Sequence, residues 1–109
     1  AEWGSGGPVI AILAEFDALP GVSQAAVPVK QADSKPAAHA CGHNLFGSGS
    51  VTAAIALSQW LKATGTPGRV RLYGTPAEEG GSGKVYMVRA GLFDDVDFAL
   101  HWHPSGSNS

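Results

Sequence analysis

Cysteine occurs once, at Cys41. That excludes an internal disulfide framework, and zinc sites built from four cysteines or from two cysteines and two histidines. Charged residues are only 15% of the chain and balance to a formal net charge of −2, so neither nucleic acid nor an acidic membrane surface is expected as a partner. No apolar run approaches the length of a membrane span, and no basic stretch leads into an apolar one as a secretory signal would. No membrane association is expected, and a cytoplasmic location is the default. The 109 residues suffice for one domain with a modest core. The chain opens on Ala1-Glu2-Trp3 without a methionine and stops in Ser105-Gly-Ser-Asn-Ser109, straight after a strand-like segment. Both ends read as cut, so residues 1–109 are expected to be a single-domain fragment.

Against that sparse background, His39-Ala-Cys-Gly-His43 concentrates the one cysteine and two of the four histidines in five residues. Thiolate sulfur and neutral imidazole nitrogen are good ligands for borderline-soft metals. An isolated Cys-x-His is as readily a buried cysteine beside a solvated histidine. Its weight depends on whether Glu78-Glu79 and His101-Trp-His-Pro104 come to the same place.

Pro8-Val-Ile-Ala-Ile-Leu-Ala14 is a nearly unbroken apolar run, the pattern of a strand buried on both faces. It ends abruptly at Glu15-Phe-Asp17, and Pro20-Gly21 turns the chain. Residues 22–38 are polar, Pro-punctuated and without period, and read as a long loop of the kind that is usually functional. Helical spacing runs from Asn44 to Ala63, with Gly65 as C-cap and Pro67 as stop. Arg69–Gly74 reads as a second strand, Lys84–Ala90 as a short helix and Asp97–His101 as a third strand. Strands alternating with helices predict an α/β fold with a mainly parallel sheet and right-handed crossovers. In that arrangement Asp17, Glu78-Glu79 and His101 all fall at the C-terminal ends of strands. Cys41-Gly-His43 precedes a helix that starts at the same edge, which is where open α/β sheets bind ligands.

The candidate metal ligands are therefore Cys41 as thiolate, His43 and His101 as imidazoles and Glu79 as carboxylate, closing one site or shared between two metals. Adjacent glutamates have diverging side chains, so one can bind metal while the other serves as general base toward water. Asp17 is either a residue that orients a histidine ligand through its second ring nitrogen or an ordinary strand-end aspartate. His39 and His103 are expected to line the pocket or to be exposed. No nucleophile elbow surrounds Ser48, Ser50 or Ser82, and Gly81-Ser-Gly-Lys84 lacks the spacing of a phosphate-binding loop.

His39-Ala-Cys-Gly-His-Asn44, Pro76-Ala-Glu-Glu-Gly-Gly81 and His101-Trp-His-Pro104 resemble the metal motifs of the M20 metallopeptidases. They are most similar to the amidohydrolase branch that includes aminobenzoyl-glutamate hydrolase. Glu15-Phe-Asp-Ala-Leu-Pro20 is similar to that branch's first motif. The resemblance implies two divalent metals, commonly zinc, manganese or cobalt, with Cys41 bridging them and His43, Glu79 and His101 as further ligands. It implies catalytic roles for Glu78, as base, and for Asp17, and hydrolysis of N-acyl or N-aroyl amino acids or small peptides. Asn44 stands where the branch most often has an acid, which points to the aminobenzoyl-glutamate subgroup. Family enzymes are much longer, with a lid or dimerisation domain and one more histidine ligand. An inactive metal-binding module and a thiol-reactive protein using Cys41 therefore stay open as alternatives. Unpaired sheet edges make a homo-oligomer the expected state.

Overall fold

In a computed structural model, whose described residues are 1–108, the expected α/β fold is present. Its elements are β1 (Glu2–Ser5), β2 (Val9–Glu15), β3 (Leu19–Pro20), β4 (Ala37–Ala38), α1 (His43–Thr64), β5 (Gly68–Thr75), α2 (Glu78–Gly81), α3 (Gly83–Arg89) and β6 (Phe98–Leu100). The main sheet has the order β1-β5-β2-β6. β2 runs parallel to both neighbours, with Glu15 opposite Thr75 on β5 and Ile12 opposite Leu100 on β6. The apolar run therefore does what its composition dictates: flanked on both sides, β2 is buried along nearly its whole length.

One helix covers the core that β2 and β5 present. α1 lies across β2 and β5, and Ala54 and Leu61 pack on Ile12 and Val70, with Leu57 and Leu72 closing the edge. Fully burying a Val, Leu or Ile side chain is worth about 1.5–3 kcal/mol, so a few such contacts fix the helix on the sheet. Ala54 on the sheet-facing side lets the helix approach closely. The backbone N–H of Gly65, in the left-handed region, caps the last turn on the carbonyl of Leu61. Among the described residues, no helix is long and apolar enough to cross a membrane.

Two features of the strand pairing differ from the sequence expectation. The Gly-rich opening forms an antiparallel edge strand, β1, on β5 with Glu2 opposite Arg71. All four of its residues are exposed, so no hydrophobic alternation announces it; ladder bonds and the Glu2–Arg71 ion pair hold it instead. The long loop is pinched at its base where Leu19–Pro20 pairs with Ala37–Ala38. That ladder brings residues 39–43 back beside the end of β2, from which residues 16–20 depart.

Candidate metal centre

The C-terminal edge of the sheet collects the chemistry. α1 begins at His43, one residue earlier than the helical spacing indicates, because Gly42 takes a left-handed conformation (φ 86°) that turns the chain into the helix. A side chain there would also crowd the Pro104 ring, 3.1 Å from where its Cβ would lie. The turn leaves His43 fully buried, with its two ring nitrogens in distinct surroundings. Nδ1 lies 2.8 Å from Asp17 Oδ1. An ionised carboxylate only accepts, so Nδ1 donates, and in the neutral ring Nε2 then carries the lone pair. Nε2 is buried and has no hydrogen-bond partner, although Glu15 Oε2 is 3.1 Å away off the bonding direction.

His103 repeats the pattern. Its Nδ1 donates to the Pro104 carbonyl at 2.8 Å, and its Nε2 faces Cys41 Sγ at 3.3 Å. An imidazole whose Nδ1–H is held by an oxygen acceptor while Nε2 points inward is the usual posture of a metal-ligating histidine. One ligand atom each from Cys41, His43 and His103 lies within 4.8 Å of the others, and the same holds for Glu15, His43 and Glu78.

Asp17 also accepts the backbone N–H of Glu79 through Oδ2 at 2.9 Å, so it ties the histidine to the segment carrying both glutamates. Burial works against its charged form, but the Glu79 N–H and the His43 imidazole more than offset this and hold its carboxyl below the usual value. Glu79 Oε1 is buried without a partner. The Glu79 carboxylate, followed by burial and by the charges of Glu79, Glu78 and Glu15, pushes the Cys41 thiol up. Glu78 is the more exposed of the pair, with Oε2 3.9 Å from His43 Nε2.

These residues fit a divalent metal. Two buried polar atoms, His43 Nε2 and Glu79 Oε1, lack partners, and clusters of thiol, imidazole and carboxylate donors meet at His43. The structure thus brings Asp17, Cys41, His43, Glu78 and Glu79 together. It differs at His101, whose Nε2 lies 3.2 Å from Glu15 Oε1 and whose ring stands edge-on to Phe46 at 4.9 Å. The imidazole at Cys41 is that of His103. Residues two apart in an extended segment face the same side, so strand alternation alone does not choose between them.

Glu15 and Lys84 are the other participants that sequence reasoning did not single out. Glu15 is 2% exposed and accepts from the Lys84 ammonium. A carboxylate continuing an apolar strand was the available signal. Burial disfavours its charged form, but hydrogen bonds from Lys84 and His101 prevail and hold its carboxyl below the usual value. An open cleft of about 400 Å³ lies against His43, lined also by Phe16, His39 and Asn44. A larger groove of about 550 Å³, between β1 and the end of α1, contains no histidine, cysteine or carboxylate.

Residues 11–109 match the family model described as peptidase family M20/M25/M40. Over 106 residues the chain is 55% identical to one of the subunits of p-aminobenzoyl-glutamate hydrolase from Escherichia coli, covering 95% of this chain and 22% of that protein. It is 36% identical to the Xaa-Arg dipeptidase of Mus musculus over 118 residues, covering all of this chain and 24% of the mouse protein. Among solved structures, a Bacillus subtilis protein described as a dinuclear metal binding peptidase of the M20 family superposes with a TM-score of 0.72 at 32% identity. That superposition covers 96% of this chain and 29% of the other. The chain thus spans less than a third of the length of these relatives.

Proposed function

Because this chain belongs to peptidase family M20/M25/M40, we propose that it carries the metal centre of an amidohydrolase acting on N-acyl or N-aroyl amino acids or small peptides of the aminobenzoyl-glutamate type. The name of the E. coli relative supports the substrate class, and its being named as a subunit supports assembly of more than one chain. The observation that carries the reading is the pair of imidazoles, His43 and His103, each with Nδ1 held by an oxygen, which cluster with Cys41 while His43 also clusters with Glu15 and Glu78.

Cys41, His43, Glu79 and His103 would hold divalent metal, zinc, manganese or cobalt, with two ions in the full site. Bound there, the metal supplies Lewis acidity to the amide carbonyl and to water. The rest falls to the protein. Asp17 keeps His43 in the tautomer that presents Nε2, and fixes the backbone of Glu79 at the same time. Glu78, exposed toward solvent beside the ligands, takes the proton of the attacking water and returns it to the departing amine.

The test separates binding from chemistry in the full-length protein. Glu78→Gln should keep its metal content and lose about 10²–10⁴ in the rate of aminobenzoyl-glutamate hydrolysis, the range for one general base. Glu79→Gln and Cys41→Ala should lose metal as well, read by elemental analysis. Metal lost from Glu78→Gln but retained by Glu79→Gln would reverse the two roles.

A further inference from the structure

We propose that Lys84 and Glu15 form a positioning clamp for the metal-binding side chains, a role that rests on the metal-centre reading above and extends beyond its ligands. The segment they hold has an unfavourable shape. Residues 76–84 make two tight turns in which Ala77 (φ 58°) and Ser82 (φ 50°) both adopt the left-handed conformation without being glycine. At Gly83 a Cβ would lie 2.0 Å from the Pro76 carbonyl oxygen, so the turn closes onto itself with no room for a side chain. Conformations of this kind persist where their surroundings hold them in place.

Two tethers do so, and both lead to the end of β2. The Glu79 N–H reaches Asp17 Oδ2 at 2.9 Å, and the Lys84 ammonium reaches Glu15 Oε1. Glu15 and Asp17, flanking Phe16, thus grip the segment on either side of the turn at Ser82. Glu15 is shared further: Oε1 is 3.2 Å from His101 Nε2, and Oε2 is 3.1 Å from His43 Nε2. Lys84 therefore anchors a single carboxylate that touches α1, α3 and the strand end carrying both later histidines. With Glu15 only 2% exposed, water cannot readily replace the ammonium.

The sign of one measurement decides between a clamp and a mere charge. A cation beside a metal site repels the metal, so on charge alone removing Lys84 should tighten binding. A clamp predicts the reverse. Metal-free full-length protein is titrated with zinc by calorimetry as wild type, Lys84→Met and Lys84→Arg, with circular dichroism to verify folding. We expect Lys84→Met to bind zinc about 10–100-fold more weakly, the usual cost of losing a residue that orients ligands, and Lys84→Arg to recover most of the loss. Lys84→Gln, which keeps a hydrogen-bond donor without the charge, should also bind weakly and carries the test if the methionine variant fails to fold. Zinc binding by a folded Lys84→Met or Lys84→Gln protein as tight as wild type, or tighter, overturns the clamp and leaves the metal centre intact. Absence of zinc binding by wild type removes the metal centre and the clamp with it.

Discussion

His101 and His103 lie two residues apart on one short segment, yet it is His103 that reaches the cysteine. The difference is set by what holds each ring: Glu15 takes His101, whereas the Pro104 carbonyl turns the Nε2 of His103 toward Cys41. His101→Ala should therefore weaken zinc binding by about 10–100-fold, as loss of a neighbouring support does, and His103→Ala should weaken it more. Calorimetry on the two variants ranks them, and the opposite order would return His101 to the ligand set. A second residue-scale prediction lies away from the site. Arg71 bonds both oxygens of Asp95 and holds its carboxyl down at about 2, against an ordinary 3.8. A depressed folded-state pKa adds stability that is present above the unfolded value and lost as pH falls through the folded one. The contribution should thus fade between about pH 4 and pH 2, and Asp95→Asn should flatten that part of a plot of melting temperature against pH. Composition and spacing made Cys41, His43 and the Glu78-Glu79 pair legible, because a metal site needs scarce residue types close together. The choice of His103 was not legible, since it depends on a backbone carbonyl and on where β6 ends.

At the level of elements, periodicity identified β2, α1, β5, α3 and β6 to within about a residue or two at most ends. Each of these has a hydrophobic pattern or a Gly/Pro boundary that expresses how it is buried. β1 and the β3–β4 ladder escaped because they bury almost nothing and are held by main-chain bonds, which leave no trace in residue type. α2 is set by the close packing of Gly83 on Pro76, a tertiary constraint. The element whose loss should cost most is α1. Leu61, near its end, is buried against the core at Val70 and Ile12. Leu61→Ala should lower stability by about 2–5 kcal/mol, the range for truncating a buried leucine, as measured by urea denaturation. A loss within experimental error would mean that α1 is not fixed by this core.

Taken whole, the described residues leave much apolar surface uncovered. β6 has no partner on its outer edge, and Phe98 and Leu100 upon it are exposed, as are Val85, Tyr86 and Val88 on α3. Trp60 and Trp102 are exposed as well, whereas Phe93 packs against Tyr73, with 4.6 Å between ring centres and a 43° tilt. An open strand edge beside an apolar surface recruits other chains. The 109-residue chain produced alone should self-associate, and sedimentation velocity should show species larger than a monomer; a clean monomer would show that this surface is tolerated in water. The order of strands carries a further consequence, one of timing. β2 is the hub of the sheet but precedes both of its parallel partners in the chain, and its N-terminal residue Val9 bonds the Asp97 side chain 88 residues later. Contacts so distant along the chain close slowly. As the polypeptide leaves the ribosome, Glu15 and Asp17 must wait for Glu79, Lys84 and finally His103 to emerge. The proposed metal-binding side chains can therefore meet only after residue 103 has emerged.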